Sequence, residues 1–302
     1  MTDLTLALDI GGTKIAAGLV DPDGAVVRAE RLPTPPVGAE AIWRVVEDLI
    51  ARMTTDATVR GAGIASAGPV DLPAGTVSPL NVPSWQGFPI RDRVAAALGG
   101  RPVRLAGDGL CMTLGEHWRG AGRGTQFLLG AVVSTGVGGG LVLDGKPYDG
   151  RTGNAGHVGH VVVEPAGPAC SCGGRGCVEV FAAGPRMVAW ARENGWAAAE
   201  DADAKVLGEA AAAGDPVALR AFERGATAIA AMIVSVAAVC DLDRVVIGGG
   251  VARSGPVLFD PVRAALTRFA GLSFLAGLTV VPAQLGGRAG LVGAAALLRD
   301  IS

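Results

Sequence analysis

The segment GHVGHVVVEPAGPACSCGGRGC, residues 156–177, holds two of the three histidines and three of the five cysteines of the chain. His160, Cys170, Cys172 and Cys177 offer one nitrogen and three sulfur atoms, with nine, one and four residues between them. Four such ligands complete a tetrahedral Zn²⁺ site and leave no position for water, which is typical of structural zinc. The alternative is three free thiols on a surface loop, because a Cys170–Cys172 disulfide would be strained and out of place in a reducing compartment.

The hexapeptide DIGGTK, residues 9–14, has residue types that suit a phosphate group bound to Mg²⁺. Asp9 can orient metal-bound water, Gly11, Gly12 and Thr13 offer N–H and O–H donors, and Lys14 adds positive charge. The spacing is not that of a P-loop, which needs four residues between its glycine and a GK[ST]. A β-hairpin turn with a lysine by chance is the alternative for this hexapeptide taken alone.

Two further glycine-rich stretches follow apolar strands and could present backbone amides to the same nucleotide. STGVGGG, residues 134–140, predicts a second phosphate-facing turn, and GGG at 248–250 predicts a turn against which the adenosine lies. A plain turn between a strand and a helix is the alternative for the glycine triplet. The predicted nucleotide contacts here are Ser134, Thr135, Gly136, Gly138, Gly248, Gly249 and Gly250.

The elements that must position these motifs appear twice along the chain. Residues 4–10, 14–20 and 25–32 read as a β-meander, followed by an amphipathic helix over 39–53. A second strand-turn-strand of the same build spans 127–149, with its turn at 135–140. Strands alternating with helices predict α/β layers, and the repeat predicts two lobes around one cleft.

Composition narrows the class of protein. A chain of 302 residues with half apolar composition can bury the cores of two domains without disulfides. A net charge of −2 without a basic block argues against nucleic acid as a partner. The first ten residues lack a signal-peptide pattern, so we expect a cytoplasmic protein. The longest uncharged stretch, 16 residues at 225–240, predicts a buried helix and no membrane partner, since a span needs about 20.

DIGGTK, STGVGGG, the Cys/His segment and the GGG turn, in this order, resemble the ROK family of repressors and sugar kinases, over nearly the whole chain. The resemblance implies an actin-like ATPase fold of two α/β domains, each with an RNase H-like sheet, and ATP, Mg²⁺ and a hexose in the interdomain cleft. We expect an N-terminal lobe of residues 1–118 plus 289–302 and a C-terminal lobe of 119–288. The first phosphate motif begins at residue 9, so we expect no DNA-binding domain ahead of it. A homodimer is also implied.

Asp108 ends the stretch RPVRLAGD, where the resemblance places a catalytic base that accepts the proton of a sugar hydroxyl. From its position alone, Asp108 could equally be a helix N-cap. The sugar contacts implied by the resemblance are Gly68, Asn81, Asp108, His157, His160 and Glu179.

Two positions depart from the pattern of the family's glucokinases. His157 replaces a sugar-binding glutamate and resembles the family's N-acetylmannosamine kinases, and a histidine can donate to an acyl carbonyl. Gly107 replaces an asparagine, which weakens recognition of ordinary glucose and widens the site. The leading hypothesis is ATP-dependent phosphorylation of the 6-hydroxyl of N-acetylmannosamine. The alternatives are a glucokinase or broad hexokinase that tolerates both changes, and a sugar-sensing regulatory protein with little turnover.

Overall fold

The computed structural model describes residues 3–299, and two five-stranded sheets with the same topology organise the chain. The first sheet has the order β3-β2-β1-β4-β7, in which β1, β2 and β3 are antiparallel while β4 and β7 run parallel to β1. Its strands are β1 Leu4–Ile10, β2 Lys14–Val20, β3 Val26–Pro33, β4 Val59–Ser66 and β7 Val103–Gly107. A small hairpin between β4 and β7 consists of β5 Val70–Asp71 and β6 Thr76–Val77.

The second sheet repeats this arrangement with the order β10-β9-β8-β11-β12, again with an antiparallel meander followed by two parallel strands. Its strands are β8 Leu128–Val133, β9 Val137–Leu143, β10 Lys146–Tyr148, β11 Arg244–Gly248 and β12 Thr279–Pro282. The duplicated unit predicted from the sequence is therefore present, because each sheet consists of an antiparallel meander followed by two parallel strands.

Nine α-helices among the described residues pack on these sheets. They are α1 Ala39–Thr54, α2 Ile90–Ala97, α3 Asp108–Arg119, α4 Glu179–Ala182, α5 Gly184–Glu193, α6 Ala204–Ala212, α7 Pro216–Cys240, α8 Pro256–Phe269 and α9 Ala289–Ala296. Separate apolar clusters lie around α1 with the first sheet and around α7 with the second, and a third cluster joins α3, α9 and the inner faces of both sheets.

Helix α7 is the one described helix whose length and apolar composition would allow it to cross a membrane. Half of its most apolar window is buried inside the protein. Phe222, Ile229 and Ile233 are fully buried in the cluster around the second sheet. We therefore interpret α7 as a core helix, as the sequence predicts for residues 225–240.

Helix α9 returns from the second sheet to pack on β1, β4 and α3. Its small residues allow this approach: a methyl group at Gly293 would overlap the carbonyl oxygen of Cys111 on α3, and one at Gly63 on β4 would overlap the carbonyl oxygen of Ala294. Close contact between backbones explains why α9 is almost entirely alanine and glycine.

The glycines at 138–140 were expected in a turn but lie in strand β9. A methyl group at Gly139 would overlap the carbonyl oxygen of Gly130, and one at Gly140 would overlap the backbone of Leu110 on α3. Gly140 therefore allows close packing of α3 on the strand and Gly139 close packing against β8, whereas the chain reverses at Ser134–Gly136.

Candidate active site

A cavity of about 770 Å³ lies between the two sheets. It brings together residues that are far apart in the sequence, from the ends of β1, β8 and β11 and from the starts of α3 and α9. Of the predicted site residues, those that line it are Asp9, Lys14, Asn81, Asp108, Ser134, Thr135, Gly136, Gly138, His157, Glu179, Gly248, Gly249 and Gly250. Gly11, Gly12, Thr13, Gly68 and His160 lie outside this lining.

Asp9 is the last residue but one of β1 and faces the first residues of α9, where a methyl group at Gly290 would come 2.5 Å from its carboxylate. Burial and the charge of Asp108 raise the pKa of Asp9, Lys14 and Arg31 lower it, and the net result is a pKa of about 6. Two carboxylates and two cations thus share one corner of the cleft. Such a corner suits a divalent cation with phosphate oxygens, since the cation would relieve repulsion between the carboxylates.

Asp108 is the first residue of α3, and Gly107 occupies the N-cap position without a side-chain cap. The carboxylate of Asp108 accepts the N–H of Gly109 at 2.7 Å and is open to the cleft. Withdrawal from bulk water raises its pKa, while the Gly109 N–H and the charge of His157 lower it. The arrangement leaves a carboxylate at a helix start facing a cavity, where it can act on a bound hydroxyl.

The first glycine turn is fixed by Thr34, whose hydroxyl donates to the Gly11 carbonyl at 2.7 Å. Asn81 covers Gly12 so closely that a methyl group there would lie 2.7 Å from its Cγ. Among residues 3–299, the N–H groups of Gly12 and Thr13 donate to no backbone or side-chain acceptor. Free amides beside Lys14 are the donors that a phosphate needs.

The second turn is held by Glu179, the first residue of α4. Its Oε2 accepts the N–H of Val137 at 2.9 Å, and the N–H of Gly184 donates to the Ser134 carbonyl at 2.7 Å. Within the described part of the chain, no acceptor meets the N–H groups of Thr135 and Gly136. The amides of the second turn therefore lie at the lining of the cavity, while those of Gly12 and Thr13 are next to Lys14, which lines it too. Both sets of donors suit phosphate oxygens.

His157 lies opposite Gly68, where a methyl group would be 3.2 Å from its Nε2. Its Nδ1 is 3.0 Å from the carbonyl oxygen of Asn154, and the Asn154 side chain pairs with both backbone groups of Val70. Since a carbonyl only accepts, Nδ1 carries a proton and Nε2 is the ring nitrogen left for the cleft. His157 therefore presents Nε2 to a ligand on the side of Gly68.

His160, Cys170, Cys172 and Cys177 have ligand atoms within 4.8 Å of one another. The Cys172 and Cys177 sulfurs are 3.8 Å apart, as are Cys170 Sγ and His160 Nδ1. Zn–S bonds of about 2.3 Å in a tetrahedron would separate two sulfurs by roughly 3.8 Å, so the geometry fits Zn²⁺. The side chain of His160 points toward the sulfurs. The Val178 N–H donates to the Val161 carbonyl at 3.0 Å, and this bond holds the neighbouring Glu179 close to the cluster.

A second cavity, of about 900 Å³, adjoins the cleft at the second turn. Ser134, Thr135, Gly250 and Arg253 border both cavities. Arg253 and Arg31 were not predicted from the sequence. Arg31 is paired with Ala16 across β2 and β3, and Asp9 is paired with Ala16 across β1 and β2, so strand register could have indicated that the charge of Arg31 lies near Asp9.

Comparison with known proteins agrees with this geometry. Residues 5–301 match the ROK family model. The chain is 35% identical to a glucokinase of Thermotoga maritima, with 98% of this chain and 97% of that protein covered. It is also 35% identical to an N-acetylmannosamine kinase of Yersinia pseudotuberculosis, with 92% and 91% covered.

Among solved structures, a ROK family glucokinase of Streptomyces griseus in complex with glucose and AMPPNP superposes with a TM-score of 0.84, at 35% identity. The match covers 97% of this chain and 98% of that one. The predicted actin-like ATPase fold is confirmed by this likeness and by the two sheets of equal topology. The chain belongs to the ROK family.

Proposed function

We propose that this protein is an ATP-dependent kinase that phosphorylates the 6-hydroxyl of a hexose. The observation that carries the proposal is the position of Asp108, which faces a cavity that is also lined by Asp9, Lys14 and the second turn with its unpaired amides. Relatives named as sugar kinases and the neighbour solved with glucose and AMPPNP support the same activity.

In this proposal, Asp108 accepts the proton of the sugar hydroxyl as the new bond to phosphorus forms. Lys14 and the amides of Gly12, Thr13, Thr135 and Gly136 bind the phosphate oxygens and stabilise the charge that spreads over the transferred group. Asp9 holds water of a Mg²⁺ ion, which when bound neutralises phosphate charge. The second cavity, beside Gly248–Gly250 and Arg253, would take the adenosine.

N-acetylmannosamine is the first candidate for the sugar. At Gly107, next to Asp108, an added methyl group would meet nothing within 4 Å, so the missing asparagine side chain leaves open space beside this carboxylate. The relative named N-acetylmannosamine kinase has the same identity to this chain as the Thermotoga glucokinase, 35%, over 282 residues rather than 309.

Glucose is the second candidate, and the orientation of His157 favours it. Because Nδ1 is used by Asn154, a neutral His157 cannot donate to an acyl carbonyl from Nε2. In that neutral form, Nε2 accepts a hydrogen bond from a sugar hydroxyl, as the glutamate of the resembled glucokinases would. The argument from the sequence that His157 reads an acyl group therefore applies only to the protonated imidazole.

The test is ADP release in a coupled assay with Mg·ATP and N-acetylmannosamine, N-acetylglucosamine, glucose or mannose offered separately. Comparison of the wild type with His157→Glu decides between the candidates. Retained glucose turnover in the variant supports the acceptor role, and selective loss of N-acetylmannosamine turnover supports an acyl reader. No ADP release above background with any of these sugars would contradict the proposal and favour a sugar sensor.

We also propose that His160, Cys170, Cys172 and Cys177 hold a structural Zn²⁺ ion. The cluster fixes the segment between His157 and Glu179, which both line the cleft. Burial raises the pKa of Cys177 to about 12, so this thiol holds its proton firmly and would release it on binding a metal ion.

A homodimer, a cytoplasmic location, and lobe boundaries at 118/119 and 288/289 remain predictions of the same proposal. Light scattering coupled to gel filtration tests the dimer. Limited proteolysis with and without sugar tests the boundaries, since the connections between the lobes should be cleaved first.

A further inference from the structure

Glu116 is a fully buried carboxylate on α3, with no exposed surface. None of the ion pairs within residues 3–299 includes it. Three backbone N–H groups replace water around it: Ala121 donates to Oε2 at 2.8 Å, Leu285 donates to Oε1 at 2.7 Å, and Gln284 lies 3.0 Å from both oxygens. A buried charge is tolerated when it is hydrogen-bonded in this way.

The carboxylate joins two parts of the protein that are 168 residues apart in the sequence. Glu116 lies on the same helix as Asp108, two turns further along. Gln284 and Leu285 belong to the loop of residues 283–288, which connects β12 to α9. Ala283, Gly286 and Gly287 of this loop line the cleft beside the triplet at 248–250.

Few other bonds fix this loop. Its backbone donates once to β11, from Ala283 to Ile247 at 3.0 Å, and once within itself, from Arg288 to Leu285 at 3.2 Å. The N–H groups of Gln284 and Leu285 lie outside any helix or sheet and have Glu116 as their acceptor. The position of the 283–288 loop therefore depends on the carboxylate of Glu116, which belongs to α3.

We propose that Glu116 is a positioning residue for the kinase reaction. Its carboxylate fixes the 283–288 loop, which borders the nucleotide side of the cleft, relative to the helix that presents Asp108. The inference rests on the proposed function. In this inference, the buried carboxylate of Glu116 keeps the 283–288 loop, which lies beside the phosphoryl donor, aligned with the catalytic carboxylate of Asp108.

The test compares Glu116→Gln with Met53→Ala. The glutamine keeps the shape of Glu116 but turns an amino group toward N–H donors, which releases at least one of them. Met53 is fully buried on α1, away from the cleft lining, and serves as a control for loss of stability alone. We expect Glu116→Gln to raise the KM for Mg·ATP at least about tenfold, with the KM for sugar changed less than about twofold.

An unchanged KM for Mg·ATP in Glu116→Gln, at a melting temperature equal to that of Met53→Ala, would overturn the inference. Should Glu116→Gln fail to fold, amide hydrogen exchange of the wild type decides. We expect the amides of Gln284 and Leu285 to exchange as slowly as those of β11, and exchange at the rate of an open loop would overturn the inference. This measurement needs no turnover, so its result is independent of the proposed kinase activity.

Discussion

Asp9 and Asp108 determine the electrostatics of the cleft at the scale of single residues. Each carboxyl has a raised pKa, for which withdrawal from water is the larger cause, and the charge of Asp108 adds to the rise at Asp9. Lys14 and Arg31 offset only part of this cost. Keeping these two acidic groups away from water lowers the free energy of unfolding, but it places them where a cation and a hydroxyl would bind.

The raised pKa of Asp9 predicts a pH-dependent stability. Between its ordinary value of 3.8 and about 6, the folded protein keeps a proton that the unfolded chain releases, so this group lowers the free energy of unfolding as pH rises through that window. Asp9→Asn should match the wild type near pH 4 and exceed its stability at pH 7 by up to about 3 kcal/mol. Thermal melts across this pH range, without Mg²⁺, measure the difference.

The control for this prediction is Asp23→Asn, an exposed aspartate in the turn after β2. Its difference from the wild type should stay small over the same pH range. A constant gap between Asp9→Asn and the wild type from pH 4 to 7 would contradict the assignment of Asp9 as a buried carboxyl with a raised pKa.

Asp108 is expected to act in the chemical step. Asp108→Asn should lower kcat about 10²- to 10⁴-fold and leave sugar binding within a few-fold, because the amide cannot accept the hydroxyl proton. Steady-state kinetics and calorimetry with the sugar measure the two effects. Asp149→Asn, which changes a half-buried carboxyl outside the cleft lining, should keep its turnover. An equal rate in Asp108→Asn and the wild type would remove Asp108 from the mechanism.

At the scale of elements, the contact between α3 and α9 decides how the start of each helix meets the cleft. Gly293 of α9 lies against the Cys111 carbonyl, and a methyl group at Gly115 of α3 would overlap the carbonyl oxygen of Ala289. Asp108 and Gly290, near the starts of these helices, are thereby held at the cleft that Asp9 also lines.

Gly293→Ala should therefore be far more harmful than helix propensity suggests. The added methyl group must push α9 from α3, at a cost of more than about 3 kcal/mol, whereas alanine in a free helix would gain about 1 kcal/mol. Gly225→Ala in α7 is the matched control, since its nearest neighbour is the flexible Met187 side chain at 3.3 Å. Urea unfolding compares the two, and equal stabilities would show that the backbones are not in close contact.

The Cys/His segment is the second element with a distinct prediction. Purified protein should contain about one zinc per chain, and Cys172→Ser should lose it and melt at a lower temperature. Cys240→Ser changes a cysteine outside the cluster and should keep the metal. Elemental analysis and thermal melts report both. A zinc-free wild type with full sugar binding would contradict a structural ion.

At the scale of the whole molecule, two sheets of equal topology face each other across the cleft and share the cluster around α3 and α9. The amides of the first turn belong to one sheet and those of the second turn to the other. A ligand that touches both should stabilise a more closed arrangement, which also excludes water from the phosphoryl donor.

Small-angle scattering should detect this closure. Addition of sugar with a non-hydrolysable ATP analogue should reduce the radius of gyration of the wild type. His157→Ala removes a contact opposite Gly68 and should weaken the response to sugar without abolishing that to nucleotide. A radius of gyration that no ligand changes would indicate a rigid cleft.

Much of the fold follows from local sequence patterns. Residues 4–10 and 14–20 are strands with the expected bounds, because alternation and turn glycines act over a few residues. The four residues of the Cys/His cluster lie within 18 residues, so their spacing already constrains them to one segment. The prediction of a turn at the glycines of 138–140 was wrong, because glycine favours both turns and close packing. Only the neighbouring elements, α3 and β8, decide which of the two applies.

The sequence by itself determined the two hairpins, the Cys/His cluster and the family, since each depends on residues that are neighbours along the chain. The tertiary structure alone decided which distant groups meet: Arg31 with Asp9, Glu179 with the Val137 amide, and Glu116 with the loop at Gln284. It also set the proton of His157 on Nδ1 through Asn154. These contacts come from the packing of two sheets and their helices, which no local pattern encodes.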